Sequence, residues 1–194
     1  FDDLNPSDGS VWATAPNASL TETAMAIGAA QEAFPKWAAL PFQERSHFMI
    51  KVASAIERRK NDFVEALRYE GGGWIGKGMF EAGYVPEVFH AAAASNYASI
   101  GEVMPSEHGK FSLAVRRPMG VITCISPWNF PGVLTARGIA FALAAGNTVI
   151  LKPSEETPYT GGLFFAEAFE EAGVPAGVLN VITCSRERVQ AIGD

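Results

Sequence analysis

Three polar residues follow two apolar runs and have the chemistry of a ligand site. Asn129 lies in Pro127-Trp-Asn-Phe-Pro131, just after the apolar run Gly120–Ile125. Lys152 and Glu155 lie just after the next apolar run. An amide NH₂ can stabilise an oxyanion, and a lysine with a carboxylate can bind sugar hydroxyls. The alternative is that Asn129 bonds the backbone of its own turn and that the other two residues belong to a solvated turn.

The surrounding pattern predicts a parallel sheet that would bring these residues together. Strand-like runs alternate with helical segments from Pro131 to about Ala145 and from Tyr159 to Glu171; the runs are Gly120–Ile125, Thr148–Leu151 and Gly177–Thr183. A β-α-β-α-β order with right-handed crossovers gives parallel strands. Ligands bind at the carboxyl ends of such strands, so the three polar residues should share one crevice.

The first half of the chain has helical periodicity. Helices are expected over Glu22–Trp37, from Pro41 to about Lys60, over Phe63–Tyr69 and from Phe80 to about Ser99. Thr21 or Thr23 is expected to cap the first helix and Asn61-Asp62 the third, with Pro86 near the first turns of the fourth or at a kink.

A polar turn between short extended pieces, from about Ile100 to Pro118, predicts a protruding β-hairpin. Such hairpins often mediate assembly, so we expect an oligomer. The expected organisation is a helical part over residues 1–99, an oligomerisation hairpin over 100–118, and a β-α-β-α-β part over 119–194.

Composition limits the class of protein. The 194 residues are 48% hydrophobic with a net charge of −6, which is typical of a globular chain and disfavours nucleic acid and acidic membranes as partners. No apolar run reaches membrane length, and the start does not resemble a secretory signal. Two cysteines and three histidines without metal-ligand spacing predict neither a disulfide framework nor a metal site. A reducing cytoplasm is the expected location.

The two cysteines differ in their expected surroundings. Cys124 lies inside an apolar strand and is expected to be an inert core thiol, whereas Cys184 follows a strand end and should be more accessible. The first βα turn has no Gly-x-Gly-x-x-Gly sequence, which disfavours an ordinary Rossmann reductase.

Two segments together resemble the aldehyde dehydrogenase superfamily: Pro127-Trp-Asn-Phe-Pro131 and Ala144-Ala-Gly-Asn-Thr-Val-Ile-Leu-Lys-Pro-Ser-Glu155. The resemblance spans essentially the whole chain. It implies an α/β fold: an incomplete Rossmann-like cofactor domain with amino-terminal helices and the hairpin. It also implies NAD or NADP as cofactor and an aldehyde as substrate.

The resemblance also assigns residues. Asn129 matches the oxyanion-hole asparagine, Lys152 and Glu155 match the pair that contacts the adenosine ribose, and the remaining cofactor-binding positions are Ile125, Ser126, Pro127, Trp128, Pro153 and Ser154. Glu155 favours NAD by repelling a 2′-phosphate, although Lys152 and Ser154 could accommodate one. The sequence departs from many family members at Cys184, where they have a glycine near the adenine.

In this family a cysteine thiolate attacks the aldehyde, hydride passes to nicotinamide, and a glutamate activates water. The matching cysteine and glutamate are not present, so we expect an amino-terminal fragment that lacks the catalytic domain and is inactive alone. A non-catalytic nucleotide-binding or assembly module is the alternative.

Substrate preference is suggested by residues on the helix after Asn129. Arg137 and the apolar residues Phe130, Val133 and Leu134 recur at helical intervals, and with Tyr84 they are expected to border a substrate channel. The segment Gly73–Met79 resembles the benzaldehyde, vanillin and salicylaldehyde dehydrogenase branch, which implies an aromatic aldehyde.

Overall fold

The computed structural model describes residues 1–189, which form a parallel sheet with helices on both faces and two separate hairpins. The elements in the first part are β1 (Asp2–Leu4), β2 (Val11–Thr14), α1 (Leu20–Ala39), α2 (Phe42–Arg58), α3 (Lys60–Glu70), α4 (Ile75–Ser95), β3 (Gly101–Met104) and β4 (Ser112–Val115). The second part contains β5 (Val121–Ile125), α5 (Pro131–Ala144), β6 (Thr148–Lys152), a π-helical turn (Tyr159–Leu163), α6 (Phe164–Glu171), β7 (Leu179–Val181) and α7 (Arg186–Val189).

The parallel sheet has the strand order β5-β6-β7, which confirms the predicted α/β fold. Ile125 pairs with Lys152, so β5 and β6 end at the same level. The Ser126 N–H extends the ladder by donating to the Lys152 carbonyl at 3.0 Å. β7 is shorter than the predicted Gly177–Thr183, because Gly177 adopts a φ of 82° against the Ala29 carbonyl and turns the chain into the strand.

The two faces of the sheet pack against different helices. Leu151 belongs to the main core formed with α2, α4, α5 and α6. Ile150, which points the other way, packs with Ala30 of α1, and the Thr148 hydroxyl donates to the Ala30 carbonyl at 3.0 Å. At the carboxyl end of β5, Ile125 is 70% exposed. This leaves one edge of the sheet open beside the Asn129 turn.

The caps predicted for α1 and α3 are wrong. Ser19, not Thr21 or Thr23, caps α1, and it forms a reciprocal capping box with Glu22. α3 begins at Lys60 without a side-chain cap, because it follows α2 almost directly and the Arg59 and Phe63 N–H groups find carbonyl partners across the junction.

α4 begins five residues before the predicted start, so Pro86 lies well inside it. Gly76 and Gly78 disfavour a helix locally, yet Gly78 packs so closely on Val64 of α3 that an added Cβ would lie 3.2 Å from that side chain. Tertiary packing therefore overrides local propensity in this segment.

Both hairpins are antiparallel. The predicted one, β3–β4, pairs Gly101 with Val115 and exposes apolar side chains such as Val103 and Leu113. The other, β1–β2, was not predicted from the sequence. It covers α3 and carries Asp3 into a buried position beside Glu70.

Candidate active site

The Asn129 turn is anchored at both ends and open between them. Ser126 is buried, and its hydroxyl accepts a hydrogen bond from Thr135 of α5 at 2.5 Å. Pro131 is buried at the first position of α5, where its missing N–H costs nothing. Between these anchors Trp128 and Asn129 are exposed. The Asn129 amide is therefore held at the carboxyl end of β5 with its donor directed to no protein acceptor among the described residues.

A buried carboxylate that the sequence did not reveal fixes the start of α5. Glu81 of α4 is fully buried and accepts hydrogen bonds from the Gly132 N–H at 3.0 Å and the Val133 N–H at 3.3 Å. Its other oxygen lies 2.8 Å from the Lys77 ammonium, which sits 5.0 Å from the centroid of the Phe130 ring. α4 thus holds the residues that immediately follow Asn129.

Lys152 lies at the end of β6, directly beside this turn. Its residue surface is only 9% exposed, and its ammonium has no hydrogen bond or ion pair with residues 1–189. Because the side chain is almost enclosed, the accessible part of the ammonium is left to donate to an acceptor from outside these residues. The site therefore fits a ligand that supplies hydroxyl or anionic oxygens at this point.

Cys184 is buried at 1% exposure, so the prediction that it is accessible is wrong. The amino-terminal segment covers this region: the Ala18 N–H donates to the Thr183 carbonyl at 2.9 Å, and the Thr183 hydroxyl donates to the Pro16 carbonyl at 2.7 Å. Burial raises the pKa of the Cys184 thiol, and the nearby Lys152 charge opposes that rise.

The turn after Lys152 orients the remaining predicted cofactor residues. Pro153 is buried, whereas Ser154 and Glu155 are half-buried. The Ser154 hydroxyl accepts from the Glu156 N–H at 3.3 Å, which is the geometry of a local turn. The Glu155 carboxylate is bound by the backbone N–H of Arg186, and its other oxygen lies 3.3 Å from Arg186 Nε.

An aromatic cluster with one arginine lies beside the turn. The Arg137 guanidinium donates to the Tyr84 hydroxyl at 3.0 Å and lies 5.5 Å from the Tyr84 ring centroid. Phe80 stacks on Tyr84 at 5.7 Å and meets Phe130 edge-on at 6.5 Å. The structure therefore groups three of the five predicted channel residues, and it adds Phe80.

The other two channel residues are placed differently. Leu134 is half-buried on α5, whereas Val133 packs into the main core with 6% exposure. Cys124 packs against α5, where an added Cβ on Gly138 would lie 2.4 Å from its sulfur. Burial raises the pKa of the Cys124 thiol, which is consistent with the predicted core role.

No group of three His, Cys, Asp or Glu side chains is arranged as metal ligands within residues 1–189. In the same range, none of the helices has both the length and the apolar character needed to cross a bilayer.

The comparisons with known proteins agree with the resemblance seen in the sequence. The model of the aldehyde dehydrogenase family matches residues 1–193. The benzaldehyde dehydrogenase [NAD(+)] of Pseudomonas putida is 40% identical over 180 residues, which cover 92% of this chain and 37% of that protein. The salicylaldehyde dehydrogenase of Pseudomonas putida is 37% identical, over 100% of this chain and 40% of its own length.

A solved structure gives the same result for the fold. A salicylaldehyde dehydrogenase from Pseudomonas putida G7, complexed with salicylaldehyde, superposes with a TM-score of 0.95 at 35% identity, covering 99% of this chain and 40% of that one. The chain thus spans about two fifths of the length of these relatives. The family match and the shared fold confirm the resemblance: this chain belongs to the aldehyde dehydrogenase family.

Proposed function

We propose that this chain is the amino-terminal part of an NAD(P)-dependent dehydrogenase that oxidises an aromatic aldehyde to a carboxylic acid, with NAD as the preferred cofactor. The pairing of Ile125 with Lys152 is the observation that carries the proposal, because it brings the Asn129 turn and the buried lysine to one edge of the sheet. An oxyanion donor and a ribose-binding cation are needed at that edge.

Each described residue has one task in this proposal. The Asn129 amide donates to the oxyanion that develops on the aldehyde carbonyl, while the Lys152 ammonium donates to hydroxyls of the adenosine ribose. Ser126 and the buried Glu81 keep the Asn129 turn in place from its two sides. Bound NAD would accept the hydride.

The attacking thiol belongs, in this proposal, to a residue outside this chain. Cys124 is enclosed against α5 and Cys184 is buried, and burial raises the pKa of both thiols. A thiolate is the reactive form, so neither cysteine has the properties of the nucleophile. The chain alone is therefore expected to have no dehydrogenase activity.

The aromatic preference rests on the cluster of Phe80, Tyr84, Phe130 and Arg137. The Phe80 ring centroid lies 5.7 Å from that of Tyr84 and 6.5 Å from that of Phe130, and such a group of rings is suited to pack against an aryl ring. Arg137 offers donors to a hydroxyl on that aryl ring. The benzaldehyde and salicylaldehyde dehydrogenases among the relatives support this assignment.

Steady-state kinetics of the full-length protein test the proposal. With NAD, kcat/KM should be higher for benzaldehyde and salicylaldehyde than for acetaldehyde, and a preference for acetaldehyde would refute the aromatic assignment. Asn129→Ala should lower kcat about 10²-fold or more, as expected for loss of one oxyanion donor. Hydride transfer catalysed by residues 1–194 alone would contradict the proposal that the attacking thiol lies outside this chain.

We also propose that the hairpin β3–β4 mediates homo-oligomerisation in the cytoplasm. Its support is the row of exposed apolar side chains, among them Val103, Phe111 and Leu113. Val103→Lys together with Leu113→Lys should shift the full-length protein to smaller species in light scattering. An unchanged mass would show that the hairpin does not mediate assembly.

A further inference from the structure

Arg186 pairs with Glu155, the carboxylate that the family resemblance matches to the cofactor ribose. Both oxygens of Glu155 are engaged by Arg186: one accepts the backbone N–H, and the other lies 3.3 Å from Nε. The Glu155 side chain is 25% exposed, whereas the Arg186 side chain is 84% exposed. The carboxylate is thus held in place by a guanidinium whose remaining donors face solvent.

This pairing changes the electrostatics expected from the sequence. A lone Glu155 carboxylate would repel a 2′-phosphate on the ribose, which is why the sequence favours NAD. With Arg186 bound, most of that negative charge is compensated, and the guanidinium can form paired hydrogen bonds with phosphate oxygens. Lys152, which has no intramolecular acceptor among the described residues, adds a second cation at the same strand end.

The surrounding space allows a phosphate to approach. Glu155 and Arg186 line an open cleft of about 650 Å³. Glu187 lines the same cleft but forms no ion pair with Arg186 among residues 1–189. A solvent-exposed ion pair contributes little to stability, so little free energy is lost when the Arg186 guanidinium exchanges the carboxylate for a phosphate.

We propose that Arg186 is a specificity-determining residue that lets this site accept a 2′-phosphorylated adenosine as well as an unphosphorylated one. This inference rests on the proposed function, because it takes the end of β6 to be the adenosine site. It goes beyond that function by assigning dual cofactor acceptance to one side chain of this chain.

Arg188 provides a matched control. It lies on the same short helix and carries the same charge, but its guanidinium is 3.4 Å from the Asn17 carbonyl and does not contact Glu155. Arg188→Gln therefore changes the net charge as Arg186→Gln does, without altering the Glu155 pair. Any effect of charge alone would appear in both variants.

Calorimetric titration of the full-length protein with ADP and with adenosine 2′,5′-bisphosphate tests the proposal without an activity assay. The wild type should bind both nucleotides with Kd values within about tenfold of each other, since losing or gaining one exposed charged pair changes binding by no more than that. Arg186→Gln should raise the Kd of the bisphosphate about tenfold, corresponding to the loss of a charge-assisted pair, and leave that of ADP nearly unchanged. Arg188→Gln should leave both Kd values nearly unchanged.

Two results would overturn the proposal while leaving the cofactor site intact. One is that Arg186→Gln weakens the binding of both nucleotides equally, and the other is that it leaves the ratio of the two Kd values as in the wild type. If the wild type bound neither nucleotide, the cofactor site itself would be refuted together with this inference. A rise in bisphosphate affinity in Glu155→Gln would support the charge argument independently.

Discussion

The buried Glu81 should be the strongest single determinant of the structure next to Asn129. Its carboxylate is fully buried and serves two backbone N–H groups at the start of α5 while pairing with Lys77 at 2.8 Å. Glu81→Ala would leave those donors and the Lys77 charge without a partner. Removing one member of a buried pair costs about 3–5 kcal/mol, so we expect a loss in that range.

Two other substitutions separate the contribution of the Glu81 charge from that of its pairing with Lys77. Glu81→Gln keeps one oxygen and the shape but loses the charge, and we expect a cost of about 2 kcal/mol for a charge-assisted bond. Lys77→Met leaves the carboxylate bonded to both N–H groups at the positive end of α5 but takes away the cation beside its other, buried oxygen, so its expected cost is also about 2 kcal/mol. Glu81→Ala should be the most destabilising of the three.

Urea unfolding followed by tryptophan fluorescence measures these differences. Glu87→Gln on the exposed face of the same helix is the matched control, and it should change the free energy of unfolding by less than about 0.5 kcal/mol. Amide hydrogen exchange at Gly132 and Val133 should accelerate in the Glu81 variants only. If Glu81→Gln behaved like Glu87→Gln in both measurements, the anchoring role of Glu81 would be refuted.

Two further predictions concern buried carboxylates and the packing of α5 on β5. Burial raises the pKa of Glu70 to about 8 and that of Asp3 to about 6. The folded protein therefore retains protons that the unfolded chain releases near the ordinary Glu pKa of 4.5, and the free energy of unfolding should fall as the pH rises from about 4.5 to 8. Glu70→Gln should flatten that slope in urea titrations. A slope of the opposite sign would contradict the burial argument. Gly138→Ala would place a Cβ 2.4 Å from the Cys124 sulfur and should destabilise by about 1–3 kcal/mol, with recovery in the double variant Gly138→Ala/Cys124→Ala.

The sequence predicted the parts of the site that depend on local pattern. The β-branched runs before Ser126 and Pro153 were sufficient to predict parallel strands, and the crossover rule then placed Asn129 and Lys152 at the same edge. Tyr84, Phe130 and Arg137 were also predicted to lie together, and the structure groups them, whereas Val133 of the same predicted set packs into the core.

The sequence failed where a contact depends on distant segments. Lys77 and Glu81 have the i, i+4 spacing that usually marks a solvated pair, and only the packing of α5 on α4 shows that Glu81 is buried. The accessibility of Cys184 was predicted wrongly, because the residues near Pro16 that cover it come from the other end of the chain.

If the ends of β5 and β6 form one cofactor site, as proposed, a titration of the full-length protein with NAD should depend on Lys152. Trp128 is 62% exposed in the Asn129 turn, so its fluorescence should report binding. We expect saturable quenching in the wild type and a Kd at least about tenfold higher in Lys152→Met, since a charge-assisted hydrogen bond is lost. An unchanged Kd in the variant, or no binding by the wild type, would contradict the proposed site.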